Sequence, residues 1–281
     1  MYDFMASAKK YIMTIHGLSF LQGSIDKRYF NKMLILKKRI NKLSKIITVS
    51  YWAKNSIMKF FKLPEEKIKV IYNCVDRKFF NERKTEYDDR ILKMFGITKP
   101  YFIHVSSGDK TKNIEYILKA MKYSKRKDYL LVLVGLSPTN RKRIIRHILH
   151  QGLAHRVKII PPIRNDHILA ALYRGAYALI MPSYHESFSF ALVEAMSTGT
   201  LCIVSRRAAL PEIAGDAAIY IDIKNPTELS SLMDDICKGK YDLLNLNGIK
   251  RVKKLFNPET FALKHIRVYK EVLDELKESD L

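Results

Sequence analysis

From Tyr101 onward, short continuous apolar runs alternate with longer stretches in which apolar residues recur every three or four positions. The run 129–135, YLLVLVG, is apolar throughout and closes on glycine, the pattern of a strand buried on both faces. Tyr101–Val105, Val157–Ile160, Tyr177–Met181, Leu201–Ser205 and Ala218–Asp222 read as further strands. Between them, Ile114–Met121, Arg141–His150, Asp166–Gly175, Ser189–Met196 and Pro226–Met233 carry helical spacing, with Ile114, Ile117, Leu118 and Met121 on one face of the first. Short strands separated by helices predict βαβ units and a parallel sheet covered on both sides.

The first part is organised differently. Tyr11–Ile15, Ile46–Val49 and Lys67–Tyr72 read as strands, and Tyr51–Phe60 as a helix. Between the first two strands, Lys32–Leu43 sets an apolar stripe of Met33, Leu36, Ile40 and Leu43 against Lys32, Lys37, Lys38, Arg39 and Lys42. Arg77–Lys93 is polar and charge-rich and reads as a linker, which puts the division near Glu86. Asn257-Pro258 then opens one long helix to Leu276, as a cap followed by proline in the first turn does. The expected organisation is a partial N-terminal domain (1–85), a whole second domain (86–255) and a C-terminal helix (256–281) that crosses back. Three strands are few for a parallel layer, so the N-terminal domain reads as incomplete.

Of the 281 residues, 47% are hydrophobic and 28% charged, which excludes a disordered chain. Lys and Arg number 50 against 28 Asp and Glu, a net charge of +22. Such an excess points to a polyanionic surface or substrate: nucleic acid, acidic lipid or a nucleotide. Cys74, Cys202 and Cys237 are too few and too scattered for a disulfide framework or a Cys-x-x-Cys metal site. No signal-peptide pattern opens the chain and no apolar run reaches 18 residues, so a cytoplasmic protein is expected, with any membrane contact peripheral. No zinc spacing, stacking-aromatic pattern or helix-turn-helix signature accompanies the charge, which argues against nucleic acid as the partner.

The most informative stretch is 182–199, PSYHESFSFALVEAMSTG. A strand ends, a small polar loop follows and an apolar helix begins near Ser189, a junction that lies at the carboxyl edge of a parallel sheet, where ligands bind. Ser187, Phe188 and Ser189 present backbone N–H groups at a helix N-terminus, suited to a phosphate or a sugar hydroxyl. Glu186 lies in the loop and Glu194 eight residues on, inside an otherwise apolar helix. Read from spacing alone, two accounts stand open: Glu186 caps the helix and Glu194 meets solvent, or Glu194 is buried and hydrogen-bonded to ligand hydroxyls.

The run from Glu186 to Thr200 resembles the E-x7-E signature of retaining family-4 glycosyltransferases of the GT-B fold. Leu210–Ala218 is similar to that family's L-P-E-x-x-G-D-A-A segment, and Val105–Asn113 (VSSGDKTKN) to its donor-phosphate loop. Val132–Gly135 matches its central strand, and Lys158–Ile163 stands where the nucleobase pocket is built. Thr14-Ile15-His16-Gly17, Ile47-Thr48-Val49-Ser50 and Lys67–Asp76 resemble N-terminal motifs of the same family, in order. The resemblance implies an α/β protein of GT-B type with two Rossmann-like parallel-sheet domains, the N-terminal one incomplete. It implies a transferase that moves a hexose-type sugar from a nucleotide-diphosphate donor to a glycan or lipid-linked acceptor, retaining configuration by same-face attack without a protein nucleophile. It also implies that further strands and helices precede the T-x-H segment.

Carried over residue by residue, Lys112 neutralises the donor diphosphate, which leaves as an anion. On its own it would be one solvated lysine among 50 basic residues. Glu194 accepts from the ribose hydroxyls, Glu186 contacts the donor sugar, and Ser187–Ser189 supply backbone donors. His16 bonds a sugar hydroxyl or the reacting region; a lone histidine after a strand is otherwise structural. Ser106, Ser107 and Lys110 complete the donor loop, and Ile163 and Arg164 the base pocket. No metal and no cofactor beyond the sugar nucleotide is expected: no D-x-D follows a strand at the site, Asp88-Asp89 fall in the linker and Asp234-Asp235 in a later helix.

The chain departs from the family at four places. Ser106 replaces a usual glycine, Thr111 replaces an arginine so that Lys110 is left as a partial substitute, Ser187-Phe188-Ser189 stands for G-F-G, and Cys74 for glycine. A rival reading is therefore a nucleotide-sugar-binding subunit that needs a partner chain for turnover. Another is a peripheral protein of anionic membranes, since residues 1–60 hold 12 basic and 2 acidic side chains. For Lys32–Leu43, lying on a membrane and packing on the sheet with its lysines outward are equal alternatives.

Overall fold

The computed structural model describes residues 11–18, 36–241 and 244–279. The chain divides into two compact units: residues up to Cys74 together with Pro258 onward, and Val75–Asn257.

In the smaller unit, β1 (Ile12–Thr14), β2 (Lys45–Thr48) and β3 (Ile68–Val70) form a parallel sheet in that order, with Ile12 opposite Lys45 and Ile46 opposite Ile68. Helix α1 (Tyr51–Phe61) starts at Ser50, whose hydroxyl accepts the Ala53 amide at 3.0 Å, and ends at left-handed Lys62. Its buried Ile57 and Phe61 join Ile15, Ile46 and Ile68 in one core. The Lys32–Leu43 stretch is described from Leu36 on. Ile40 and Leu43 are buried in that same core with Leu36 against it, while Lys37, Lys38, Arg39 and Lys42 are exposed. The apolar stripe of this part therefore serves the fold, and the cations form its outer face; Lys32 and Met33 lie outside the described residues.

The larger unit is built on a six-stranded, all-parallel sheet of β4 (Tyr101–Val105), β5 (Leu130–Val134), β6 (Val157–Ile160), β7 (Ala178–Met181), β8 (Leu201–Ser205) and β9 (Ile219–Ile221). Its order is β6-β5-β4-β7-β8-β9. The chain moves outward from β4 to β6, returns to the other side of β4 and moves outward again to β9. The order reverses between β4 and β7, and in sheets of this kind the crevice beyond the carboxyl ends at the reversal receives the ligand. Strand residues Phe102, Leu131, Leu133, Ile180 and Ile203 are fully buried, and helices α3 (Ile114–Tyr123), α4 (Pro138–His150) and α8 (Pro226–Ile236) cover them with Ile117, Ile144 and Leu229.

The sequence between 77 and 93 is not a linker. Its second half is helix α2 (Glu86–Met94), packed on α5 (Asp166–Arg174). Asp88 is 1% exposed and takes a two-pronged contact from Arg174, Nε to Oδ2 at 2.6 Å and Nη2 to Oδ1 at 3.0 Å, with the Thr85 hydroxyl adding a third bond at 2.6 Å. Arg174 also donates to the Asn81 carbonyl, and Phe80 packs against Tyr173. Residues 75–85 thus belong to the larger unit, and the division falls at Cys74 rather than near Glu86. Charge-rich composition misled because one of its charges, Asp88, is buried and pairs inward with Arg174 while most of the others line the solvent face.

Two further helices carried no clear pattern in the sequence: α7 (Leu210–Ala214) and α9 (Leu244–Leu255), which follows α8. The last helix, α10 (Pro258–Ser279), lies in the smaller unit. Val268 and Phe261 meet Ile47 and Ile71, while Glu271 takes Lys45 at 3.0 Å and Lys69 at 2.9 Å.

Candidate functional site

Two loops leave the sheet at its reversal point: residues 106–113 after β4 and residues 182–189 after β7. Asp109 shapes the first by accepting the Thr111 amide at 3.0 Å, which caps the single 3-10 turn Lys110–Lys112. The Thr111 hydroxyl is also held by Asp109, and Ser107 donates to it at 3.0 Å. These bonds, with the Lys112 ammonium nearby, outweigh partial burial and hold the Asp109 carboxyl below its ordinary range. The two loops are joined directly. Tyr184 N–H donates to the Thr111 carbonyl at 2.8 Å and the Asn113 side chain to the Pro182 carbonyl at 3.2 Å.

Across this junction the Lys112 ammonium meets Glu186 Oε1 at 2.8 Å, with side-chain exposures of 21% and 11%. Ser183 donates to the same oxygen at 3.1 Å. Both bonds go to Oε1 rather than Oε2. The third tie comes from the β8 side, where Ala209 N–H donates to the Glu186 carbonyl at 3.1 Å.

Helix α6 (Phe190–Ser197) starts beyond Glu186 with Ser189 as its cap, accepting the Leu192 amide at 3.3 Å. Ser189 has φ +85° and ψ +92°, a conformation that strains any residue with a Cβ. Phe188 is 4% exposed and packs edge-on to Phe190 and Phe256, so its ring anchors the loop. One turn into α6, Glu194 accepts the Tyr173 hydroxyl at 2.9 Å. Burial, against the lowering effect of that bond and with Asp166 adding to it, pushes the Glu194 carboxyl up to about 7. Tyr173 is the partner that sequence spacing did not reveal; it lies on α5, 21 residues from Glu194.

The predicted residues fall into three sets. Lys112 and Glu186 touch; Ser106, Ser107 and Lys110 share the first loop, Ser187–Ser189 share the second, and Glu194 follows on α6. Ile163, half-buried, and exposed Arg164 sit in the loop after β6, at the same carboxyl edge but at the far end of that side of the sheet. His16 is exposed after β1 and belongs to the other unit. Among the described residues no group of three His, Cys, Asp or Glu converges to hold a metal ion, and no helix is long and apolar enough to cross a membrane.

Comparison with known proteins gives the family and the fold. Residues 90–253 match the family described as glycosyl transferases group 1, and residues 2–79 match glycosyltransferase family 4. The chain belongs to the glycosyl transferases group 1 family. It is 27% identical over 227 residues to the O-antigen chain mannosyltransferase RfbU of Salmonella typhimurium, an alignment covering 80% of this chain and 60% of that protein. The chain thus spans about three fifths of the length of the curated relatives it matches. Among solved structures, sucrose-phosphate synthase of Thermosynechococcus elongatus superposes with a TM-score of 0.80 at 23% identity, over 95% of this chain and 68% of its own. Anabaena HepE, solved in complex with UDP and glucose, gives 0.79 at 16% identity over 93% and 71%. Both likenesses are of fold, and together with the two parallel sheets they bear out the GT-B expectation, the sheet of the smaller unit having three strands among the described residues.

Proposed function

We propose that this chain acts in a retaining glycosyltransferase that moves a hexose-type sugar from a nucleotide-diphosphate donor to a glycan or lipid-linked acceptor. The observation that carries the reading is the Lys112–Glu186 contact at the reversal point of the sheet. An ammonium carries three hydrogens, so Lys112 can keep Glu186 and still donate to a diphosphate oxygen. As the sugar–phosphate bond breaks, negative charge grows on that diphosphate. Lys112 and the N-terminus of α6 are the positive groups on the spot to stabilise it. Glu186 Oε2 then takes a sugar hydroxyl and Glu194 the ribose. The mannosyltransferase among the relatives makes a mannosyl donor the first to try, and the UDP in HepE makes a uridine donor the second.

The test is a thermal-shift series with UDP-, GDP- and ADP-sugars, followed by radiolabelled transfer and donor hydrolysis. A donor at 100 times its dissociation constant adds about 2.7 kcal/mol, a rise of roughly 5–10 °C for a unit of this size. Lys112→Ala and Glu186→Ala should lose the shift and the turnover; a wild-type chain that responds to none of these donors refutes the reading. A second reading is a binding subunit without turnover. It is favoured by Thr111, which is bound to Asp109 where the family resemblance has an arginine. Saturable donor binding without turnover, with or without an added partner chain, would decide for it. For the exposed Lys37, Lys38, Arg39 and Lys42 we propose peripheral contact with an anionic bilayer, checked by salt-sensitive binding to phosphatidylglycerol vesicles.

A further inference from the structure

The reversal point of the sheet also holds a group that the donor chemistry does not use. His104 is the fourth residue of β4, and its ring is fully buried. A polar ring in such a place must have its hydrogen bonds met. Nδ1 lies 2.7 Å from the carbonyl oxygen of Ile180 on β7; a carbonyl only accepts, so Nδ1 carries the hydrogen. Burial, with Lys112 adding to it, pushes the imidazole down to about 4, so near neutral pH Nε2 bears a lone pair. Nε2 lies 2.8 Å from Ser106 Oγ, whose hydroxyl is therefore the donor. Ser106 Oγ in turn accepts the Gly108 amide at 3.1 Å. One directed chain thus runs from the Gly108 amide through Ser106 and His104 to the backbone of β7.

Its position is what gives it a role. The paired residues of β4 and β7 run from Phe102 opposite Ala178 to Ile103 opposite Leu179, and His104 is the next residue. At this end of the ladder the imidazole ties β4 to β7. The far end of the 106–113 loop is held to the 182–189 loop by Asn113 and Tyr184; its near end is held by Ser106. Gly108 has φ +77°, and a Cβ there would stand 2.6 Å from Leu136 Cδ2, so the turn between the two ends has no slack. The single hydroxyl hydrogen of Ser106 goes to His104. The Ser106 hydroxyl is thus committed within the loop.

We propose that His104 and Ser106 are a positioning pair that fixes the 106–112 loop, and with it the Lys112 ammonium, against the Glu186 loop for a nucleoside diphosphate. This rests on the donor reading above. The prediction that separates it from general support of the fold is selectivity: the pair should matter for the diphosphate and not for the nucleoside.

The test titrates UDP, GDP and ADP, and uridine, guanosine and adenosine, into the full chain and its Ser106→Ala, His104→Leu and His104→Gln variants, with melting temperatures measured alongside. Ser106→Ala and His104→Leu should weaken the preferred diphosphate about tenfold and leave its nucleoside unchanged. His104→Gln should recover most of the loss, because its amide oxygen can accept from Ser106. A folded Ser106→Ala variant that binds the diphosphate as the wild type does overturns the proposal. So does an equal loss of diphosphate and nucleoside. A wild-type chain that binds none of the three diphosphates overturns the donor reading, and this inference with it.

Discussion

Replacing Ser189 by glycine should make the protein more stable, against the usual direction for a helix cap. At φ +85° and ψ +92° the serine Cβ is crowded by its own backbone, a strain of about 1–3 kcal/mol that glycine does not carry. Two terms oppose the gain. The cap to Leu192 is lost, which for Ser→Gly amounts to a few tenths of a kcal/mol. Glycine also frees the unfolded chain by about 0.4–1 kcal/mol. The balance is a net gain of roughly 1 kcal/mol, or about 2–4 °C in melting temperature for a unit of this size. Ser189→Ala keeps the strain and loses the cap, so it should fall about 1 kcal/mol below wild type. Urea unfolding of the three proteins at constant m-value measures both differences. The expected order is Gly, then Ser, then Ala. If Ser189→Gly is no more stable than Ser189→Ala, the strain is not there and the reasoning fails.

The buried Asp88–Arg174 pair, with 2% and 8% side-chain exposure, makes Arg174→Met costly: about 3–5 kcal/mol in urea unfolding, since it strands a buried carboxylate. Burial alone would raise the Asp88 carboxyl, but the bonds from Arg174 and Thr85 hold it below its ordinary range. Its contribution is therefore full above the unfolded aspartate value of about 4 and lost as pH falls through the lower, folded one; Asp88→Asn should flatten the fall in stability below pH 4. Glu194 runs the other way. Its carboxyl is raised from 4.5 to about 7, so the folded chain is favoured below 4.5 and loses on the order of 3 kcal/mol as pH rises to 7. Glu194→Gln should remove that slope, leaving the variant the more stable protein at pH 8 while abolishing donor binding. A wild-type stability profile flat from pH 4.5 to 8 would refute the assignment.

What the sequence displays well is the sheet of the larger unit. Runs such as YLLVLVG read as buried strands because they are short, apolar throughout and closed by glycine. The motif loops were legible for a related reason: Glu186, Lys112 and Ser189 sit where a strand ends and a helix begins, and that boundary is visible in one dimension. Pairings across the chain were not. Nothing in the spacing of Asp88 and Arg174 says that they meet, so a charged helix looked like a linker. Tyr173 reads as one more core aromatic until its hydroxyl is found on Glu194. His104 looks like an interruption of an apolar strand. Ser106 was legible for its place in the loop, but its tie to His104 was not, because a hydroxyl has one hydrogen and only the fold shows where it points.

The pairing of α10 with β2 and β3 bears on how the chain acquires its shape during synthesis. Glu271 and Val268 are made some 200 residues after the Lys69 and Ile71 that they contact, with all of the larger unit in between. Val75–Asn257 is continuous and can close its own core while the ribosome is still at work. The smaller unit cannot. Until α10 emerges, Ile47, Ile71 and the ammonium groups of Lys45 and Lys69 lack the helix that covers them. A released chain truncated before Phe261 should therefore carry a protease-resistant 75–257 and a digestible N-terminal segment.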